Sequence, residues 1–165
     1  MIDLNLALLG LFLSIVYSSS EIALLSANPL QIDVWEKQGK QLSKWASSIL
    51  DHKSEYLAII LIGTNLANIL TTSFATVYLL RINILPNELI IIPIAIIILL
   101  IGEILPKTII RDNANRGLMT LAPFLKISYI IFFPLLLILR QTGWMNISEN
   151  IRNSKEEMEE KRDDI

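Results

Sequence analysis

Three long apolar blocks constrain this chain more than any other feature. The first covers residues 2–27, the second runs from Tyr56 to Leu80, and the third from Leu89 to Ile110. Each holds roughly twenty residues or more, enough for a helix rising 1.5 Å per residue to cross a hydrocarbon core of about 30 Å. A fourth block, Ile127 to Leu139, has only thirteen residues, with Pro123, Lys126 and Pro134 in or beside it. Its length predicts an interfacial or re-entrant helix rather than a span.

The charges follow the blocks. Lys37, Lys40, Lys44 and Lys53 separate the first two, and Arg81 alone separates the second from the third. The remaining cations begin with Lys107 at the end of the third block and otherwise follow it. Three spans with the N-terminus outside place thirteen of the fourteen Lys and Arg on the cytoplasmic side. A fourth span would move five tail cations outside, against the positive-inside rule. The expected architecture is an all-α, multi-pass protein of the cell membrane with a cytoplasmic C-terminus. No basic n-region precedes the first block, so a cleaved leader is not expected.

Composition removes other classes. Hydrophobic residues make up 53% and charged residues 18% of 165 positions, below the roughly 25% charged of soluble chains. A net charge of −2 excludes a generic basic nucleic-acid binder. Without Cys there is no disulfide framework, thiolate nucleophile or iron–sulfur cluster. The single His52 argues against a Ser-His-Asp triad and a multi-His metal site, and no enzyme activity is expected.

The pattern divides the chain into a transmembrane domain, 1–145, and a charged cytoplasmic tail, 146–165. Spans are expected at 3–27, 55–80 and 88–110, with juxtamembrane helices at 29–50 and 113–140. Asn28-Pro29 opens the first of these helices well, with Asn at the N-cap and Pro at N1. Leu30, Val34, Leu42, Trp45 and Ile49 then recur at near-helical spacing, as expected of an amphipathic helix on the cytoplasmic bilayer surface. A helix packed on a partner domain fits the same pattern.

Polar groups inside the spans need an explanation, because an ionisable side chain at a helix centre costs about 2.5–3.5 kcal/mol. Ser14, Ser18 and Glu21 share one face of the first helix, and Asn65, Asn68 and Thr72 share one face of the second. Ser20, the two Asn and Glu103 fall in a similar slab, roughly 10–20 Å above the cytoplasmic ends of their spans. Matched depth on three spans is the geometry of a shared site.

The third span ends in Gly102-Glu103-Ile104-Leu105-Pro106-Lys107. Pro106 has no N–H for the Gly102 carbonyl four residues back, which predicts a helix break with a free oxygen beside the Glu103 carboxylate. The slab offers hydroxyls, amide oxygens, a carbonyl and a carboxylate, with no sulfur or imidazole. Such all-oxygen sites favour Mg²⁺, Ca²⁺ or Mn²⁺, and Na⁺ is compatible. Bland readings stand beside this one. Ser commonly bonds the carbonyl four residues back, Asn holds helices together, Pro106 kinks, and Glu21 caps or pairs with Lys107.

Three motifs taken together, Ser18-x-Ser20-Glu21, Gly63-x-Asn65-x-x-Asn68 and Gly102-Glu103-x-x-Pro106-Lys107, resemble the transmembrane (DUF21) domain of the CNNM/CorC family of magnesium transporters. The likeness covers residues 4–140. It implies a homodimer with three spans per subunit and a Mg²⁺ site between the helices. It also implies Mg²⁺ export, with Na⁺ entry as a possible coupled flux. Carried over by position, the ligands are Ser20, Asn68, the Gly102 carbonyl and Glu103, with Ser18 and Asn65 close by. Glu21, Gly63, Thr72, Pro106 and Lys107 take supporting roles. Family members usually continue into CBS modules that bind adenine nucleotide. No such module, and so no nucleotide site, is expected within these 165 residues. A membrane scaffold, whose polar residues only hold helices together, is the alternative.

Overall fold

A computed structural model describes residues 2–83, 86 and 89–141, with side chains described as far as residue 137. The charged tail lies outside the described residues. Those described form helices and their connections, with no strand among them. The helices are α1 (Ile2–Ser26), α2 (Pro29–Lys37), α3 (Ser43–Asp51), α4 (Lys53–Ile82), α5 (Ile91–Arg111) and α6 (Ala114–Gln141).

Helices α1 and α4 pack antiparallel along their length. Small residues permit this: a Cβ on Gly10 would lie 2.6 Å from Thr71 Oγ1 and 2.8 Å from the Thr71 backbone nitrogen. In lipid, such close backbone approach replaces the hydrophobic drive that water supplies to soluble helices. Gly63 plays the same part for the Tyr17 ring, which a Cβ there would overlap. Arg81 closes one end of the pair with a 2.6 Å ion pair to Asp3. Helix α5 runs parallel to α1 and contacts it over its second half.

The main core gathers at the other end. Ala23, Leu24, Ile32, Ile49, Ile60 and Leu118 are buried there, drawn from α1, α2, α3, α4 and α6. A smaller cluster, Ile90, Ile94 and Ile98, packs on Ala75 and Leu79 of α4.

Two local expectations change. Residues 29–50 form two helices, not one. The Asn28 side chain accepts from the Gln31 N–H at 3.3 Å and Pro29 opens α2, but α2 stops at Lys37. Gly39 at φ +71° and Leu42 at φ +64° then turn the chain into α3. A helix cannot continue through left-handed residues.

The helix expected at 113–140 is present, but its apolar stretch is longer than the thirteen-residue block. That stretch belongs to the 28-residue α6, which runs through Pro123 and Pro134. Each proline removes one backbone donor, and a helix packed on neighbours tolerates that. Lys126 does not interrupt α6 either, because its Nζ reaches sideways to Ser48 Oγ of α3 at 2.9 Å. By length and composition, four helices among the described residues can cross a membrane: α1, α4, α5 and α6 through Leu137.

Candidate functional site

Three helices meet at a polar centre. Ser14 of α1 is fully buried and its Oγ donates to Asn68 Oδ1 of α4 at 2.7 Å. Asn68 Nδ2 in turn donates to Glu103 Oε1 of α5 at 2.8 Å. Gly102, also buried, faces the same serine: a Cβ there would lie 2.9 Å from Ser14 Oγ. One hydroxyl, one amide and one carboxylate thus form a continuous chain, with a glycine backbone against its first member.

The local backbone around Glu103 differs from a simple break. Residues Ile98–Ile104 are π-helical, and the Leu105 N–H donates to the Leu100 carbonyl five residues back. The helix then resumes α geometry from Leu105 through Pro106 to Arg111. The expected interruption at Pro106 is therefore absorbed as a widened turn in a continuous helix. The four-residue rule that singled out the Gly102 carbonyl does not hold through this stretch. π-Helical turns recur at functional sites, because they rotate side chains out of the α register.

The other sequence candidates sit as follows. Ser20 is buried, but its Oγ bonds the Val16 carbonyl at 2.8 Å, four residues back, and does not join the chain. Asn65 is exposed and its Nδ2 bonds the Leu61 carbonyl. Thr72 Oγ1 bonds the Asn68 carbonyl, bracing the residue that bridges α1 and α5. Pro106 is buried. Glu21 and Lys107 form an ion pair at 2.8 Å between α1 and α5. Ser18 is fully buried and its hydroxyl has no hydrogen-bond partner among the described residues. It lies on α1 one turn beyond Ser14 and one turn before Glu21, on the same face. A buried hydroxyl without a partner costs about 1–3 kcal/mol, a cost that a ligand or water at this position would relieve.

Ser14 is the residue that depth arithmetic missed. It stands on the polar stripe with Ser18 and Glu21, and that stripe was its signal. Matching each span by distance from its cytoplasmic end selected Ser20 instead. The Glu21–Lys107 pair shows the true register: the long lysine side chain reaches along the helices, so the α1 residue level with Gly102 is seven positions before Glu21.

Among the described residues there is no group of three or more His, Cys, Asp or Glu able to hold a metal. The polar centre has one carboxylate and otherwise neutral oxygens, which suits a hard cation bound by few charges.

Fold and centre define a polytopic helical membrane domain with an oxygen-lined junction between three helices. The chain matches the family described as the Cyclin M (CNNM) transmembrane N-terminal domain over residues 5–161, and it belongs to that family. It is 32% identical over 126 residues to a UPF0053 protein of Haemophilus influenzae, a match covering 76% of this chain and 30% of the relative. It is 31% identical over 141 residues to a UPF0053 protein of Mycoplasma genitalium, covering 81% of this chain and 33% of the relative. The matches thus take in about a third of the length of these curated relatives.

Proposed function

We propose that this domain carries Mg²⁺ across the membrane, with Asn68 and Glu103 as the core of the binding site and the Gly102 carbonyl as a ligand carried over from the family motif alone. The observation that supports it most is the Ser14–Asn68–Glu103 chain, which brings oxygen donors from three helices to one point. The ligand set carried over from the family motif is adjusted in one place: Ser14 joins it and Ser20 stands back. Ser18, buried beside this chain without a partner among the described residues, is the natural further ligand. Mg²⁺ usually keeps several waters, and the half-buried Glu103 leaves room for them. Export, coupled Na⁺ entry and a homodimer rest on family resemblance alone.

The proposed topology has three spans, α1, α4 and α5, with the N-terminus outside and the C-terminus in the cytoplasm. The contacts of α6 support it. Asn115 of α6 accepts from the Asn28 N–H, Lys126 reaches Ser48, and Tyr129 donates to Glu55. All three partners lie at the same end of the bundle. Ser128 and Phe124 of α6 also meet Tyr17, nine residues before the end of α1, so α6 covers the inner part of α1 as well as its end.

One observation favours a scaffold. The polar groups of the centre satisfy one another, and interhelical hydrogen bonds alone hold membrane helices together. Thermal unfolding in detergent separates the two readings. A ligand that binds only the folded protein raises its melting point by mass action. A transporter site predicts a saturable Mg²⁺-dependent rise that Glu103→Gln and Asn68→Ala abolish. A scaffold predicts no rise in the wild type.

A further inference from the structure

Where α1 turns into α2 and α5 turns into α6, an open polar cavity of about 330 Å³ is lined by Asn28, Trp35, Arg111, Asp112, Asn115 and Arg116, among others. We propose that this cavity binds the phosphate of an anionic phospholipid headgroup. The two arginines come from successive helices: Arg111 closes α5 and Arg116 lies in the first turn of α6. The short Asp112–Asn113 turn brings them to one site. Both are exposed, and neither makes an ion pair among the described residues. They outweigh the one carboxylate in the lining, Asp112.

The cavity wall is fixed in place. The Asn28 N–H donates to Asn115 Oδ1 at 2.7 Å, tying the α1–α2 corner to the start of α6. Arginine presents a planar fork of donors suited to phosphate oxygens, and the N-terminal turn of α6 adds its partial positive charge.

Position decides the source of the phosphate. The cavity sits where two spans leave the bilayer, and Trp35 is a residue type that settles at the headgroup level. Basic pockets at the cytoplasmic ends of membrane helices are suited to phospholipid headgroups. The proposal rests on the topology above but not on the cation site.

The test is thermal unfolding of the full chain in detergent micelles with added phosphatidylglycerol, phosphatidylcholine or inorganic phosphate. Phosphatidylglycerol is expected to raise the melting point saturably and phosphatidylcholine is not. R111Q/R116Q is expected to weaken the phosphatidylglycerol response about 25-fold in concentration, and each single variant about fivefold. The single variants carry the test should the double variant fail to fold. K37Q/K44Q, at exposed lysines of α2 and α3 outside the cavity, is expected to respond as the wild type does. An unchanged response in the arginine variants, or an equal loss in K37Q/K44Q, overturns the proposal. A saturable rise with inorganic phosphate that competes with the lipid overturns the headgroup assignment in favour of a free phosphate. The Mg²⁺ response, read in the same samples, is expected to survive R111Q/R116Q, so failure here and failure of the cation site are told apart.

Discussion

Asn68 and Glu103 are joined across α4 and α5 by a 2.8 Å hydrogen bond in which the amide donates and the carboxylate accepts. The other face of the same amide accepts from Ser14. A hydroxyl can donate to the amide oxygen and a carboxyl oxygen can accept from the amide nitrogen, so these two partners set the amide's orientation. The Asn68 NH₂ therefore faces the Glu103 carboxylate. In the proposed site a cation on Glu103 would displace it, and Asn68 would ligate only after turning its oxygen inward.

Asn68→Asp replaces that NH₂ with a second carboxylate oxygen. Two carboxylates at hydrogen-bond distance repel, and a divalent cation between them relieves the repulsion. The variant is expected to melt lower than wild type in chelator and to gain more from Mg²⁺. Differential scanning fluorimetry with a Mg²⁺ titration checks both signs. A response to Mg²⁺ no larger than that of wild type counts against a cation position between residues 68 and 103.

Gly102→Ala places a methyl 2.9 Å from Ser14 Oγ. Overpacking of this kind costs about 1–3 kcal/mol. Ser14→Ala removes the obstructing oxygen, so the double variant is expected to be more stable than the sum of the single effects allows. A double-mutant cycle on melting points measures this coupling, and strict additivity contradicts the packing described.

The Glu21–Lys107 pair is partly exposed, with the lysine side chain at 36% and the glutamate at 22%. Such pairs are worth about 1 kcal/mol or less once solvent screening is allowed for. Glu21→Gln is expected to leave the Mg²⁺ response unchanged and to lower stability slightly. The exchange E21K/K107E is expected to restore that loss. If Glu21→Gln abolishes the Mg²⁺ response, Glu21 belongs to the site and not to a strut beside it.

Leu42 holds φ +64° between α2 and α3, a conformation that costs a non-glycine residue about 1–2 kcal/mol. Leu42→Gly relieves it, at the loss of a side chain that is already 37% exposed. The variant is expected to be as stable as wild type or more so in thermal unfolding. A marked loss contradicts the left-handed turn.

How much of this was legible in the sequence depends on where the information lies. The all-helical membrane class was legible because lipid demands long apolar blocks, and α1, α4 and α5 each contain one. The motif Gly102-Glu103-x-x-Pro106-Lys107 made the family legible over most of the chain. The bond between Asn68 and Glu103 was foreshadowed by their depth. Other features were hidden for physical reasons. Leu42 carries no side-chain signal for a positive φ, so the amphipathic spacing ran straight through the turn. Pro106 reads as a break in a one-dimensional rule, but a π-helical turn absorbs it in three dimensions. Pro123 and Pro134 shortened the apparent fourth block although α6 passes through both. Ser14 was overlooked because axial register between parallel helices is set by contacts such as Glu21–Lys107, which residue counting does not supply.

The central claim is that a cation binds at Glu103 together with Asn68. Isothermal titration calorimetry of Mg²⁺ into the purified chain in detergent tests it most directly, on wild type, Glu103→Gln and Glu21→Gln. The account predicts saturable binding to wild type and to Glu21→Gln, and none to Glu103→Gln. Equal binding to wild type and to Glu103→Gln contradicts it.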